Sequence, residues 1–201
     1  MTTATLVQRG RLLTGATLAY NVVEVALALA AGISSGSIAL VGFGVDNFIE
    51  LAASSIALWR LEEEVEPATR SDAEAISAWL VGMSFLLLGA YLALRALMAI
   101  LNQEAPESSV LGIVIALVSL LVMPVLAREK RRVADALGSP ALQAACVQTS
   151  LCAWMAAILL GGLVLRAVFG WWWADPVAAL LMTPIIVREG LEILRSSAGP
   201  R

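Results

Sequence analysis

Six long apolar stretches occupy most of this 201-residue sequence and restrict the folds that it can adopt. They cover residues 12–33, 38–59, 75–101, 110–127, 142–169 and 171–190. An α-helix needs about 20 mostly apolar residues to cross the hydrocarbon core of a bilayer, and each stretch has roughly that length. The sequence therefore predicts an all-α membrane protein in which residues 1–201 form a single transmembrane domain of six helices.

The composition excludes several classes of function. Hydrophobic residues make up 60% of the chain and charged residues 14%, whereas soluble domains average about 45–50% and about 25%. Histidine is absent from the sequence, which excludes a histidine general base and a Ser-His-Asp triad, and we predict that the protein is not an enzyme. The net charge of −3 provides no basic footprint for nucleic acid, so we expect no nucleic-acid partner.

The lysine and arginine residues indicate how the six helices are oriented. If the helices alternate in direction, one side of the membrane receives both termini and nearly all of these residues: Arg9, Arg11, Arg60, Arg70, Arg128, Lys130, Arg131, Arg132, Arg188, Arg195 and Arg201. Basic residues concentrate on the cytoplasmic side of membrane proteins. We therefore expect cytoplasmic termini in a multi-pass protein of an inner or plasma membrane, with the basic run 128–132 facing anionic lipid headgroups.

A pair of carboxylates lies in the middle of the second stretch. Asp46 and Glu50 are four residues apart, so on a helix both side chains share one face, about 6 Å from each other. Two like charges repel each other in such a poorly solvated place, and a bound cation or a proton removes that repulsion. The pair indicates a cation or proton site. The alternative is a pair of protonated or hydrogen-bonded acids that hold helices together.

A second pair with the same spacing, Gln148 and Cys152, lies in the fifth stretch. An amide oxygen and a thiolate both bind metal ions, although glutamine also bonds neighbouring helices and a buried cysteine also acts as a small hydrophobe. Small residues follow both pairs and would let the two helices approach closely. Four donors could then surround one ion in the tetrahedral arrangement that suits Zn²⁺.

Two further acids lie in the apolar stretches. Glu24 lies mid-way along the first stretch, with Tyr20 and Asn21 one turn before it. It is either part of a proton path or held neutral by hydrogen bonds. Asp175 precedes Pro176 at the start of the last stretch, and an acid before proline is typical of the residue that caps the start of its own helix.

Three segments resemble the cation diffusion facilitator family of divalent-metal transporters. SIAL at residues 37–40, which leads to Asp46 and Glu50, is similar to the second helix of that family. Residues 144–153 match its fifth helix in position, and GWWWADP at residues 170–176 is similar to the entry into its sixth helix. The resemblance implies six spans, cytoplasmic termini and a metal site with two ligands on the second helix and two on the fifth.

The sequence departs from the pattern of that family at several points. Glu50 stands where the family usually has aspartate, Gln148 where it has histidine or aspartate, and Cys152 where it has aspartate. The histidine-rich loop of many members is absent, and we expect a short member without the soluble C-terminal domain.

The resemblance implies a divalent metal cation transporter that works by proton-coupled efflux and alternating access. Asp46, Glu50, Gln148 and Cys152 would bind the ion, and Glu24 would serve the proton path. We expect Zn²⁺ as the cargo, with Cd²⁺, Co²⁺, Fe²⁺ and Mn²⁺ as alternatives, and no permanently bound cofactor. The expected partners are the lipid bilayer, the metal ion and protons, and the small-residue faces are compatible with a homodimer. The alternative function is a non-transporting membrane partner or sensor that retains the fold with a degenerate metal site.

Overall fold

The computed structural model describes residues 3–62, 67–137 and 140–197, and within these ranges it contains helices and no strands. The six helices are α1 (Thr3–Ser35), α2 (Ile38–Glu62), α3 (Pro67–Leu101), α4 (Val110–Leu137), α5 (Pro140–Phe169) and α6 (Ala174–Ser197). The prediction of an all-α protein with six helices is confirmed for this part of the chain.

Four of the helices contain a stretch that is long and apolar enough to cross a membrane: residues 8–35, 78–101, 110–136 and 146–169 in α1, α3, α4 and α5. The other two helices, α2 and α6, carry the buried acids Asp46, Glu50, Asp175 and Glu189. In the bundle, α2 packs against α1, α3, α5 and α6. The neighbouring helices thus separate the polar part of α2 from bilayer lipid, where buried acids would be strongly unfavourable.

Some helices continue beyond the apolar stretches that predict them. α3 begins at Pro67, before the stretch 75–101, and α4 continues to Leu137, beyond the stretch 110–127. Charged residues such as lysine, arginine and glutamate have good helix propensity, so a helix that leaves the apolar layer can continue through them. The basic run 128–132 therefore forms turns of α4 rather than a loop.

The centre of the bundle is closely packed because several contact positions carry small residues. Ala28 of α1, Ala39 of α2 and Ala156 of α5 are fully buried. Between α3 and α6 the backbones themselves approach, since a Cβ atom added to Gly190 would lie 2.9 Å from the carbonyl oxygen of Gly82. Glycine at such contacts permits the short separation between helices that small residues allow in membranes.

The turn between α1 and α2 requires a glycine. Gly36 has a φ of 70°, in the left-handed region that glycine adopts without steric cost. The amide of Ser37 donates to the carbonyl oxygen of Gly32 at 3.1 Å. This is the hydrogen bond of the Schellman motif that spans the larger number of residues. This ending places Ser37 directly before the first residue of α2.

Asp175 joins this turn to the start of α6. One carboxylate oxygen accepts a hydrogen bond from the Ser37 hydroxyl, and the other accepts one from the amide of Ile38 at 2.8 Å. Ile38 is the first residue of α2, so the side chain caps α2 from across the bundle. The prediction that Asp175 caps its own helix is therefore wrong, because its acceptors are used by the neighbouring helix.

We predict that Asp175→Ala lowers the unfolding free energy by about 1–3 kcal/mol, because it leaves two buried donors without an acceptor. Asp175→Asn retains one acceptor oxygen and should lose less. The measurement is the unfolding transition in detergent, with Asp135→Ala on the exposed side of α4 as the matched control. A loss for Asp175→Ala no larger than that of the control would contradict the role of this cap.

Candidate cation site

Glu50 and Cys152 meet at the contact between α2 and α5. The Cys152 thiol donates to Oε2 of Glu50, with the sulfur 3.0 Å from the oxygen. Both side chains are buried. The structure therefore brings together one member of each pair that the sequence singles out. Because the thiol acts as a donor, it carries its proton in this arrangement.

Asp46 lies one turn before Glu50 on α2 and is only 1% exposed. Its Oδ1 atom has no hydrogen-bond partner within the described residues. A buried oxygen without a partner costs about 1–3 kcal/mol, and more when it carries charge. Asp46 is therefore a place where a bound cation or a proton would provide a large stabilisation.

Gln148 on α5 connects acids from two other helices. Its side chain interacts by hydrogen bonding with the carboxyl groups of Glu50 on α2 and Glu189 on α6. The terminal NH₂ of glutamine has two donors, so one amide can serve two carboxylates. Gln148 thus lies between the acids rather than at the edge of the cluster.

Glu189 is a member of this cluster that the sequence pattern did not predict. It lies on α6, is 6% exposed, and acts electrostatically on Asp46 and Glu50. Its Oε1 atom lacks a hydrogen-bond partner in the described part of the chain. The sequence feature that could have identified it is the charge of Glu189 itself, since this residue lies within the apolar stretch 171–190. Arg188 stands beside it and is exposed, which makes the two together resemble a solvated helix end.

Glu24 is held by hydrogen bonds from two sides. The Tyr20 hydroxyl donates to Oε1 at 3.2 Å, and the Asn47 amide donates to Oε2 at 3.2 Å. The Tyr20 hydroxyl oxygen also lies 2.9 Å from the hydroxyl oxygen of Ser119 on α4, within hydrogen-bond distance. Asn47 is the neighbour of Asp46, so the network joins α1, α2 and α4 and ends beside the acids of α2.

The cluster is a hydrogen-bonded network and not a preformed coordination sphere. Among the described residues, no three cysteine, aspartate or glutamate side chains are placed so that they could hold one metal ion. Zinc binds oxygen and sulfur ligands at distances of about 2.0–2.3 Å. Binding at this place would therefore require Cys152 to release its proton and the Asp46 and Glu50 side chains to turn toward a common point.

A helical bundle with membrane-spanning stretches and several ionisable groups at its centre defines a multi-pass membrane protein with an internal polar site. The chain belongs to the cation efflux family, since residues 16–199 match the cation efflux transmembrane domain. The resemblance to the cation diffusion facilitators is thereby confirmed.

Three curated relatives are similar over most of this chain. The cation-efflux pump FieF of Shewanella oneidensis is 27% identical over 194 residues, covering 91% of this chain and 64% of that protein. An uncharacterized transporter of Synechocystis is 26% identical, covering 85% and 57%. The magnetosome protein MamB of Paramagnetospirillum magneticum is 29% identical, covering 83% and 58%. The chain thus spans about three-fifths of the length of these relatives.

We predict that the Glu50–Cys152 contact gives a coupling energy of about 1 kcal/mol in a double-mutant cycle, because neighbours that share a hydrogen bond do not act additively. The cycle combines Glu50→Leu, which leaves the thiol without an acceptor, with Cys152→Ala, and unfolding in detergent provides the four free energies. Cys146→Ala in place of Cys152→Ala is the control, since Cys146 is also buried but lies outside this hydrogen bond. Equal coupling in the two cycles would show that the contact is not specific.

Proposed function

We propose that this protein is a transporter of divalent metal cations, with an intramembrane site between α2 and α5. Membership of the cation efflux family supports metal cation transport in general. The observation that carries the more specific proposal is the contact between Cys152 and Glu50, one turn from the Asp46 oxygen that has no partner among the described residues. Asp46, Glu50, Gln148 and Cys152 are the proposed ligands.

The chemistry of these donors favours a zinc-like cargo. The two carboxylates and the amide oxygen are hard donors that accept most divalent ions, whereas the thiolate of Cys152 prefers softer ions. This mixed set favours Zn²⁺ and Cd²⁺ over Mg²⁺ and Ca²⁺. Co²⁺, Fe²⁺ and Mn²⁺ fall between these groups and are the remaining candidates.

The same donors provide a basis for exchange of metal ions with protons. A thiol must lose its proton to bind a metal ion, and carboxylic acids must do so as well, so binding releases protons and release of the ion takes them up. The hydrogen bonds of Glu24 to Tyr20 and Asn47 lead from the acids of α2 toward α1 and α4. We assign Glu24 to the path by which these protons move.

The proposed transport direction is efflux by alternating access. The distribution of lysine and arginine along the chain supports an orientation with cytoplasmic termini, in an inner or plasma membrane. The site would open to the cytoplasm, bind the ion and then open to the opposite side. A homodimer is compatible with this scheme.

We predict that Asp46→Asn reduces metal flux at least about tenfold, because the proposed site loses its most deeply buried anionic ligand. The assay uses proteoliposomes that contain a metal-sensitive dye and carry a pH gradient. Asp135→Ala serves as the matched control on the exposed surface of α4.

Two results of this assay would contradict the transporter proposal. One is the absence of Zn²⁺ and Cd²⁺ flux with the unaltered protein. The other is equal flux with the unaltered protein and with Asp46→Asn. Binding of metal by the unaltered protein without flux would instead favour a membrane sensor or partner that retains the fold.

We predict that Cys152→Ser changes ion preference more than it changes folding. Serine has a similar size and still provides a hydrogen-bond donor to Glu50, but it replaces a soft donor with a hard one. The ratio of Cd²⁺ flux to Mn²⁺ flux should therefore fall several-fold, since hard donors suit Mn²⁺. Cys146→Ser is the matched control, and an unchanged ratio in Cys152→Ser would exclude sulfur from the ligands.

A further inference from the structure

Lys130 differs from the other basic residues of the run 128–132. The side chains of Arg128, Arg131 and Arg132 are exposed, whereas Lys130 is only 3% exposed. Lys130 therefore cannot face lipid headgroups, and our prediction for the run is wrong at this position. The reason is its place on the helix, since Lys130 lies on the side of α4 that packs into the bundle.

The ammonium group of Lys130 lies beside the part of α5 that carries the proposed ligands. Its Nζ donates to the hydroxyl of Thr149 at 3.0 Å, and both side chains are buried. Thr149 follows Gln148 directly in the chain and lies one turn before Cys152. The hydrogen bond thus places a positive charge next to the α5 half of the cluster.

Glu50 is the carboxylate that acts most strongly on this ammonium. Glu50 acts electrostatically on the Lys130 ammonium, and Lys130 in turn acts on the Glu50 carboxyl group. A buried cation is stable only when nearby acceptors and negative charges compensate for the lost water. Thr149 provides the acceptor and Glu50 the negative charge.

A fixed positive charge in this position has a direct consequence for a divalent ion. The acids at the centre of the bundle, namely Glu24, Asp46, Glu50 and Glu189, carry up to four negative charges when they are all ionised. Lys130 offsets one of them before any ion arrives and repels the ion that binds at Glu50. A transporter must bind its cargo weakly enough to release it.

We propose that Lys130 is an internal counter-cation of the site, whose ammonium shares Glu50 with the transported ion and so limits how tightly that ion binds. This inference rests on the proposed function. In this role Lys130 does not contact the ion, and it affects binding only through its electrostatic interaction with Glu50. Its charge opposes the ion when the ion is bound at Glu50.

A purely structural role is the rival explanation, in which Lys130 only ties α4 to α5 through Thr149. Four variants separate the charge from the hydrogen bond. Lys130→Met removes both, and Lys130→Gln removes the charge while retaining a donor that can reach toward Thr149. Lys130→Arg retains the charge, and Thr149→Val removes the acceptor while retaining the charge. Arg131→Met is the matched control, since it removes a charge from the exposed side of the same turn.

The experiment is calorimetric titration of the purified full chain in lipid nanodiscs with Zn²⁺, and separately with Cd²⁺. We expect Lys130→Met and Lys130→Gln to bind about tenfold more tightly than the unaltered protein, since one opposing unit charge has been removed from a partly screened interior. Lys130→Arg and Arg131→Met should remain close to the unaltered affinity. A gain in affinity is a result that a loss of packing does not produce.

The failure of this inference is distinguishable from that of the proposed function. If the unaltered protein binds neither ion, the proposed function fails and the counter-cation role fails with it. If the unaltered protein binds but Lys130→Gln binds equally or more weakly, only the counter-cation role is overturned. Should Lys130→Met not fold, Lys130→Gln carries the test, and the unfolding transition of Thr149→Val reports the structural contribution of the hydrogen bond.

Discussion

The cost of placing carboxyl groups where water is scarce governs the architecture of this bundle. Asp46, Glu50 and Glu189 are buried on α2 and α6, while α1, α3, α4 and α5 contain stretches long and apolar enough to cross a membrane. An acid exposed to lipid at that depth is strongly disfavoured, whereas one that faces other helices can find donors and counter-charges. The contacts of α2 with four neighbouring helices provide that environment. The burial of these acids and the central position of α2 among four other helices thus have the same cause, which is the cost of exposing a carboxyl group to lipid.

The ends of the bundle show how this polar centre is kept in place. Asp175 binds the first turn of α2 from the start of α6, so these two helices are connected at the same end. Further along α6, its backbone lies against α3 at Gly82 and Gly190. These contacts fix the position of Glu189 relative to the acids of α2.

The sequence predicts the helices and part of the site because both depend on local pattern. Apolar stretches of spanning length specify helices, and Asp46 and Glu50 stand out because few charges interrupt those stretches. Glu189 and Lys130 are not apparent in the same way, since each lies among other charged residues near a helix end. Which side of the helix faces inward there depends on packing between helices. The cap that Asp175 provides to α2 is likewise a contact between elements distant in sequence, which local capping rules cannot detect.

The close approach of α3 and α6 also determines how the bundle can deform. Where two backbones are in contact at Gly82 and Gly190, no flexible side chain lies between them to take up a displacement. Closely packed interiors transmit strain instead of absorbing it. α3 and α6 therefore cannot move past each other at this point without first separating the backbones at Gly82 and Gly190.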